Sequence, residues 1–206
     1  MREAGILLLA FVAGGIPFSN IAARLARGVD LRKVGSGTVT GSALYRTAGV
    51  WPVVLSGVFD VAKGVVPVVL AGHDDVLAAF AGGLVIVGHN WSPLLRFGGG
   101  RGVAPALGVF AVDAWPGVLV LLGSLVVGKV GGETGLGGFA GVLALTPVLA
   151  LTHGGAGALA GAAVAVPMLV KRVTSDGRAP TPGWRPYVRR LVFDRPDLPA
   201  AVTRSV

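Results

Sequence analysis

Two glycine-rich stretches beside arginines are the parts of this sequence best equipped for chemistry. The first reads Asp30-Leu31-Arg32-Lys33-Val34-Gly35-Ser36-Gly37-Thr38, followed by Ser42 and Arg46. Backbone amides around Gly35 and Gly37 can converge on one anion, while Ser36 offers a hydroxyl and Arg46 a charge. The second reads Arg96-Phe97-Gly98-Gly99-Gly100-Arg101-Gly102-Val103 and runs directly into an apolar stretch. A glycine turn feeding a helix N-terminus presents free N–H groups and a positive dipole end, a setting for phosphate. It lacks the GKS or GKT ending of a Walker loop and the strand-turn-helix frame of GxGxxG. The plainer alternatives are a tight turn with ordinary basic residues for the first and a flexible loop for the second.

A third group lies inside apolar sequence. Asp60 and Lys63 are three residues apart, on one face of a helix, where they can pair. Charges within a membrane helix are expensive and usually functional, although an ion pair that only fixes helix packing satisfies the same spacing. His89-Asn90 follows shortly before Pro93 and the second glycine stretch. His89 is a candidate base, a candidate phosphate donor or a packing histidine. No plausible Ser-His-Asp triad lies on one side of the membrane, and with no cysteine there is no thiolate nucleophile, thiolate metal site or disulfide. No metal cluster is visible and no cofactor is expected.

The elements that must hold these groups are apolar. Of 206 residues, 53% are hydrophobic and 14% charged, with a mean hydropathy of +0.75. Soluble domains carry roughly 25% charged residues, so lipid is the expected solvent. The 34 glycines, set within apolar runs, suit close helix packing. A net charge of +8 does not point to nucleic acid, because the basic residues flank apolar segments and have no aromatic platform. Apolar segments fall at about 4–23, 50–70, 76–95, 103–127, 135–152 and 155–170, most near the ~20 residues that cross a bilayer. The first reads as an uncleaved membrane helix, since no small-residue cleavage site follows it.

Lys and Arg gather between the first two segments, after the third and in the tail, which predicts that these face the cytoplasm. That orientation requires 103–127 to be two elements, broken at Asp113-Ala114-Trp115-Pro116-Gly117, where proline removes a donor. The expectation is therefore an all-α, polytopic membrane bundle of seven helical elements, N-terminus outside and C-terminus cytoplasmic. Residues 1–171 form its membrane domain, and 172–206 a basic Pro/Arg-rich tail, partly disordered or lying on the membrane surface.

The ordered motifs resemble those of the bacterial membrane acyl-phosphate:glycerol-3-phosphate acyltransferases over about residues 5–170. The resemblance rests on Gly15-Ile16-Pro17-Phe18, Asp30-x-Arg32-x-x-Gly35-Ser36-Gly37 with Arg46, Asp60-x-x-Lys63-Gly64-x-x-Pro67, Gly88-His89 and Gly99-Gly100-Arg101-Gly102-Val103-Ala104. The chain departs from the family pattern at Thr38–Tyr45, where two asparagines are absent, and at Arg101, where the family uses Lys. The family's final Arg-His-Arg-x-Asn-Ile motif is missing, with Lys171–Gly177 in the corresponding region. The resemblance implies a divergent member, multi-pass in the cell (inner) membrane with a cytoplasmic active face. It implies acyl transfer from acyl phosphate to the 1-hydroxyl of glycerol 3-phosphate, giving lysophosphatidic acid. Arg46, Ser36, Gly35, Gly37, Arg101 and the Gly99, Gly100 and Gly102 amides would hold the glycerol phosphate. Lys63 and Arg96 would neutralise the acyl phosphate, with Asp60 in a structural or acyl-phosphate role and His89 as a proton acceptor. Arg172, Thr174 and Arg178 stand nearest in sequence to replace the missing motif. The alternative is a non-catalytic paralogue that binds phospholipid head groups or partner enzymes; a small transporter is disfavoured by the lack of an inverted repeat.

Overall fold

A computed structural model describes residues 1–35, 37–174 and 183–195. Its helices are α1 Arg2–Gly14, α2 Phe18–Arg27, α3 Gly41–Ala48, α4 Val50–Ala71 and α5 Asp75–Asn90. They are followed by α6 Val103–Asp113, α7 Pro116–Val130, α8 Thr134–Thr174 and α9 Arg185–Phe193. Among the described residues no strand forms.

Helix α4 is inside-out relative to a soluble helix. It buries Ser56, Asp60 and Lys63 and exposes Leu55, Val58, Val66 and Val69. Helix α2 does the same, burying Ser19 and Asn20 and leaving Leu25 84% exposed. Such a pattern is stable only where the outer solvent is apolar. The stretches Arg2–Arg27, Val50–Ala71 and Thr134–Thr174 are long and apolar enough to cross a membrane.

Breaks occur where backbone chemistry demands them. The expected single segment 4–23 is divided between α1 and α2 at Gly15–Pro17, because Pro17 has no N–H to continue the helix. Helices α6 and α7 meet at Ala114–Trp115, within the expected 113–117 break, and Pro116 opens α7. Gly154 (φ 62°, ψ −145°) kinks α8 in the gap expected between 152 and 155. The expected segment 76–95 ends as a helix at Asn90, and a short 3-10 turn at Pro93–Leu95 follows.

Glycines set the spacing. A methyl added at Gly64 of α4 would lie 2.1 Å from the Pro105 carbonyl oxygen of α6, and one at Gly108 of α6 would lie 2.0 Å from that of Val61. Gly14 and Gly88 bring α1 and α5 together in the same reciprocal way. Backbone thus touches backbone, the contact that replaces the hydrophobic drive in lipid. The apolar core, including Val85, Ile86, Phe110, Leu145 and Leu149, lies between these helices.

The described part of the tail differs from the sequence expectation. Helix α9 packs on α8 with Pro186 and Arg190 buried. Its last-turn carbonyls meet Arg172: Nη1 donates to Leu191 at 3.0 Å and to Val192 at 3.4 Å. These are carbonyls that a helix end leaves unpaired, and a cation there also complements the dipole.

Candidate active site

The break at Pro17 leaves backbone carbonyls inside the bundle, and Lys63 answers them. Its Nζ donates to the Gly14 and Ile16 carbonyls at 3.0 Å each, lies 2.7 Å from Asp60 Oδ1 and 2.9 Å from His89 Nδ1. The ring of Phe18 stacks beneath at 5.6 Å. Both ionised groups are at least 95% buried, an arrangement tolerated only because each has a partner. With the ammonium donating to Nδ1, the neutral His89 ring carries its hydrogen on Nε2. That atom faces Gly100, where a methyl would lie 2.2 Å away. In this tautomer His89 presents a donor on that side.

The second glycine stretch folds as a compact turn braced against the first. Ser92 N–H donates to Gly98 O, Phe97 N–H to Ser92 O, and Val39 N–H to Gly99 O, tying the two loops together. Asp30 anchors the first loop. It caps the 3-10 turn Leu31–Lys33 through Arg32 N and accepts from Arg32 Nη2 at 2.6 Å and Arg24 Nη2 at 2.7 Å. The Arg32 guanidinium holds the Asp30 carboxyl well below the usual carboxylate range.

These contacts change the expected roles of several amides. Gly100 N–H donates to His89 O and Gly37 N–H to Val34 O, so neither is held open for an anion. Gly37, at φ +75°, fulfils a conformational need. Gly35 is also in the left-handed region, at φ +57°. Ser36 lies outside the described residues. Gly102 sits before α6 at φ +78°, and the first amides of that helix open on the cleft described next.

A cleft of about 670 Å³ collects the remaining groups. Arg46, Arg101 and Arg172 line it together with Ser42, Asp60 and His89, while Val53, Leu107 and Leu125 give it an apolar part. Arg46, exposed on α3, has no hydrogen-bond or ion-pair partner among the described residues. Arg101 is engaged on two sides. Its Nε donates to Asp194 Oδ2 at 3.1 Å, its Nη2 lies 2.7 Å from Asp194 Oδ1, and its Nη1 donates to Lys171 O at 3.3 Å. Arg172 is buried and also donates to Gly135 O at 3.0 Å.

The structure thus separates residues that the sequence grouped. Lys63 stands behind Asp60 and His89 and does not line the cleft. Arg96, expected beside the acyl phosphate, lies in another depression with Arg32, Gly37, Phe97 and Gly98. Gly99 and Gly100 line a small recess shared with Asp60 and His89. Arg172 joins the cleft, Thr174 is exposed at the end of α8, and Arg178 lies outside the described residues. Asp194 was not anticipated. Its one local signal is the run Arg185-Pro186-Tyr187-Val188-Arg189-Arg190-Leu191, with proline in the first turn and a basic residue in the last, which reads as a short helix.

Apolar faces turned outward around an arginine-lined cleft define a helical integral membrane protein. More specifically, the chain belongs to the glycerol-3-phosphate acyltransferase family, whose sequence model matches residues 4–176. Glycerol-3-phosphate acyltransferase 1 of Deinococcus radiodurans is 47% identical over 109 residues, covering 52% of this chain and 54% of the relative. Glycerol-3-phosphate acyltransferase of Synechococcus sp. (strain CC9902) is 34% identical, covering 80% of this chain and 84% of the relative. The chain spans only 54% of the Deinococcus relative and 63% of glycerol-3-phosphate acyltransferase 5 from Dehalococcoides mccartyi, to which it is 37% identical over 70% of its own length.

Among solved structures, the chain is similar to PlsY (YgiH), an integral membrane glycerol 3-phosphate acyltransferase, in its glycerol 3-phosphate form. The TM-score is 0.75 at 26% identity, with 98% of each chain covered. The lysophosphatidic acid form of PlsY shares the fold at a TM-score of 0.72 and 23% identity, covering 84% of this chain and 88% of that one.

Proposed function

We propose that this chain transfers a fatty acyl group from acyl phosphate to the 1-hydroxyl of glycerol 3-phosphate, giving lysophosphatidic acid. The observation that carries this reading is the convergence of Arg46, Arg101 and Arg172 on one cleft that continues into apolar walls. An acyl phosphate has those two ends, and glycerol 3-phosphate needs a second anion contact beside the first. Family membership and the two ligand forms named for PlsY support the same assignment.

The chemistry asks little of the protein beyond binding. Acyl phosphate is a mixed anhydride with a good leaving group. The glycerol hydroxyl oxygen forms a bond to the acyl carbon, the carbon–oxygen bond to phosphate breaks, and phosphate leaves with that electron pair. The departing phosphate oxygen takes up the hydroxyl proton, so the leaving group is hydrogen phosphate. Holding two phosphates side by side in the right orientation then supplies most of the rate. Arg46 and Arg101 bind the acceptor phosphate with the first amides of α6, and Arg172 supports the charge between the two substrates. His89 donates from Nε2, and Asp60 and Lys63 fix its orientation. Ser36 and Gly35 complete the acceptor site from the first loop. Arg96, in its separate depression, contributes to attraction of anions at the membrane surface.

The active face is cytoplasmic, in the cell membrane. Counting α1 with α2 as one element, then α4, α5, α6, α7 and the two parts of α8 divided at Gly154, seven elements in the membrane place the N-terminus outside, and the membrane domain 1–171 is followed by a cytoplasmic segment 172–206. In intact cells a single cysteine at position 174 is expected to resist an impermeant thiol reagent and one at 73 or 153 to react; outside labelling at 174 rejects this orientation.

A second reading, a non-catalytic binder of phospholipid head groups, draws on the pairing of Arg101 with Asp194. Purified protein given acyl phosphate and glycerol 3-phosphate separates the two. Release of lysophosphatidic acid and phosphate in equal amounts is expected, and phospholipid binding with no transfer to any polyol phosphate would favour the binder.

A further inference from the structure

We propose that Asp194 is a positioning residue for Arg101, and that α9 completes the phosphate end of the cleft by holding that guanidinium in place. The inference rests on the cleft being the anion site proposed above. A guanidinium has five N–H donors. Asp194 Oδ2 accepts from Nε, its Oδ1 is ion-paired with Nη2 at 2.7 Å, and Lys171 O takes one hydrogen of Nη1. At least one hydrogen remains on each terminal nitrogen, and a phosphate can accept both at once. The side chain is 13% exposed, and it lines the cleft. Asp194 therefore leaves Arg101 able to bind while removing its freedom to swing.

The carboxylate comes from 93 residues away in sequence and is itself held. It occupies the left-handed position that ends α9 (φ 51°, ψ 34°), with its N–H bonded to Arg190 O. One residue further on, Arg195 pairs with Glu133 at 2.7 Å, next to the start of α8. On the other side, Arg172 holds the Leu191 and Val192 carbonyls. Asp194 is thus flanked by two ties to the bundle, as a wall of the cleft would be. A terminal segment acting as a removable plug would need neither. The remaining charge also suits a substrate phosphate. Asp60 is matched by Lys63, so among the described lining residues Asp194 is the one carboxylate left to offset Arg46, Arg101 and Arg172.

The experiment is a double-mutant cycle on the full chain in detergent, with Asp194→Ala and Asp194→Asn made alone and combined with Arg101→Ala. Two quantities are read: inorganic phosphate affinity by calorimetry, and kcat and KM for glycerol 3-phosphate. Asp194→Ala is expected to weaken phosphate and raise KM about tenfold, the scale of one charge-assisted contact, with a smaller change in kcat. Asp194→Asn, which keeps the shape and one acceptor, lies between, and it carries the cycle if the alanine variant does not fold. In the Arg101→Ala background neither change adds anything, because Asp194 acts through Arg101. Tighter phosphate binding by Asp194→Ala would show that the carboxylate competes with the ligand and would overturn the proposal. So would an equal effect with and without Arg101, or no phosphate binding by the wild type. Coupling seen in phosphate binding supports the proposal even if the wild type transfers no acyl group, a result that counts against the enzymatic reading alone.

Discussion

The buried trio Asp60, Lys63 and His89 and the arginines of the cleft are made of similar groups at one end of one bundle, yet their donors are disposed in opposite ways. Lys63 has three hydrogens and four acceptors within 3.0 Å, so every donor is engaged inside the protein. Arg46 has no acceptor among the described residues, and Arg101 keeps at least two of its five hydrogens. A charge saturated by its own fold holds helices in register, whereas one left with free donors near an opening is prepared for a ligand. Charge inside a membrane protein is therefore not enough to mark a binding residue. The count of satisfied donors separates framework from site.

The largest effect that follows concerns the framework. Lys63→Ala removes the partner of a buried carboxylate and the donor to two carbonyls. Breaking such a pair costs about 3–5 kcal/mol, so the variant should melt far below the wild type in detergent or fail to accumulate. Replacing both charges, with Asp60→Leu and Lys63→Met, should recover much of that loss, since a matched apolar pair leaves no orphan charge. A single variant as stable as the wild type would move Lys63 out of the framework and reopen a direct role in substrate binding.

Next come the cleft arginines, where affinity and not stability should change. Arg46→Ala is expected to weaken glycerol 3-phosphate by about 1.5–3 kcal/mol, roughly tenfold to a hundredfold, with an unchanged melting temperature. Arg101→Ala should match it in affinity and also loosen α9, seen as faster amide exchange in residues 185–193. Arg101→Lys should fall between, because an ammonium keeps the charge but cannot meet both Asp194 oxygens and Lys171 O in one plane. Unchanged affinity in both alanine variants, with folded protein, would remove the ground for calling this cleft the acceptor site.

The contrast between framework and site also explains what was legible in the sequence. Local signals placed the breaks: Pro116 after Asp113 divides α6 from α7, and Gly154 kinks α8, both where the residue types predict them. The ordered motifs identified the family, and the run of apolar residues identified the membrane. Which amides stay open was not legible, because the Gly100 and Gly37 amides take carbonyl partners that loop folding alone brings near. Lys63 likewise meets carbonyls 47 and 49 residues away, a contact with no signature at short range. Asp194 was hardest to foresee. Its role depends on a short helix at the end of a stretch whose prolines and arginines read as disorder.

The smallest effect tests the brace beneath the first loop, which belongs to the framework although it sits at the surface. Asp30 pairs with Arg32 and Arg24, and Arg32 reaches toward the Leu95 carbonyl of the second loop at 3.4 Å. Asparagine is as good a helix cap as aspartate, so Asp30→Asn keeps the turn and removes only the charge. Because Arg24 is 54% exposed, solvent and salt weaken its share, and pairs of this kind contribute about 0.2–1 kcal/mol. The folded-state pKa of Asp30 is depressed, so this stability is present above the unfolded value of about 3.9 and is lost as pH falls toward the folded one. Wild type and Asp30→Asn should therefore differ slightly in melting temperature at pH 7, and the two curves should approach one another below about pH 4. A gap that widens in acid, or one that ignores added salt, would mean that Asp30 acts through its backbone geometry and that Arg32 and Arg24 do not draw on its charge.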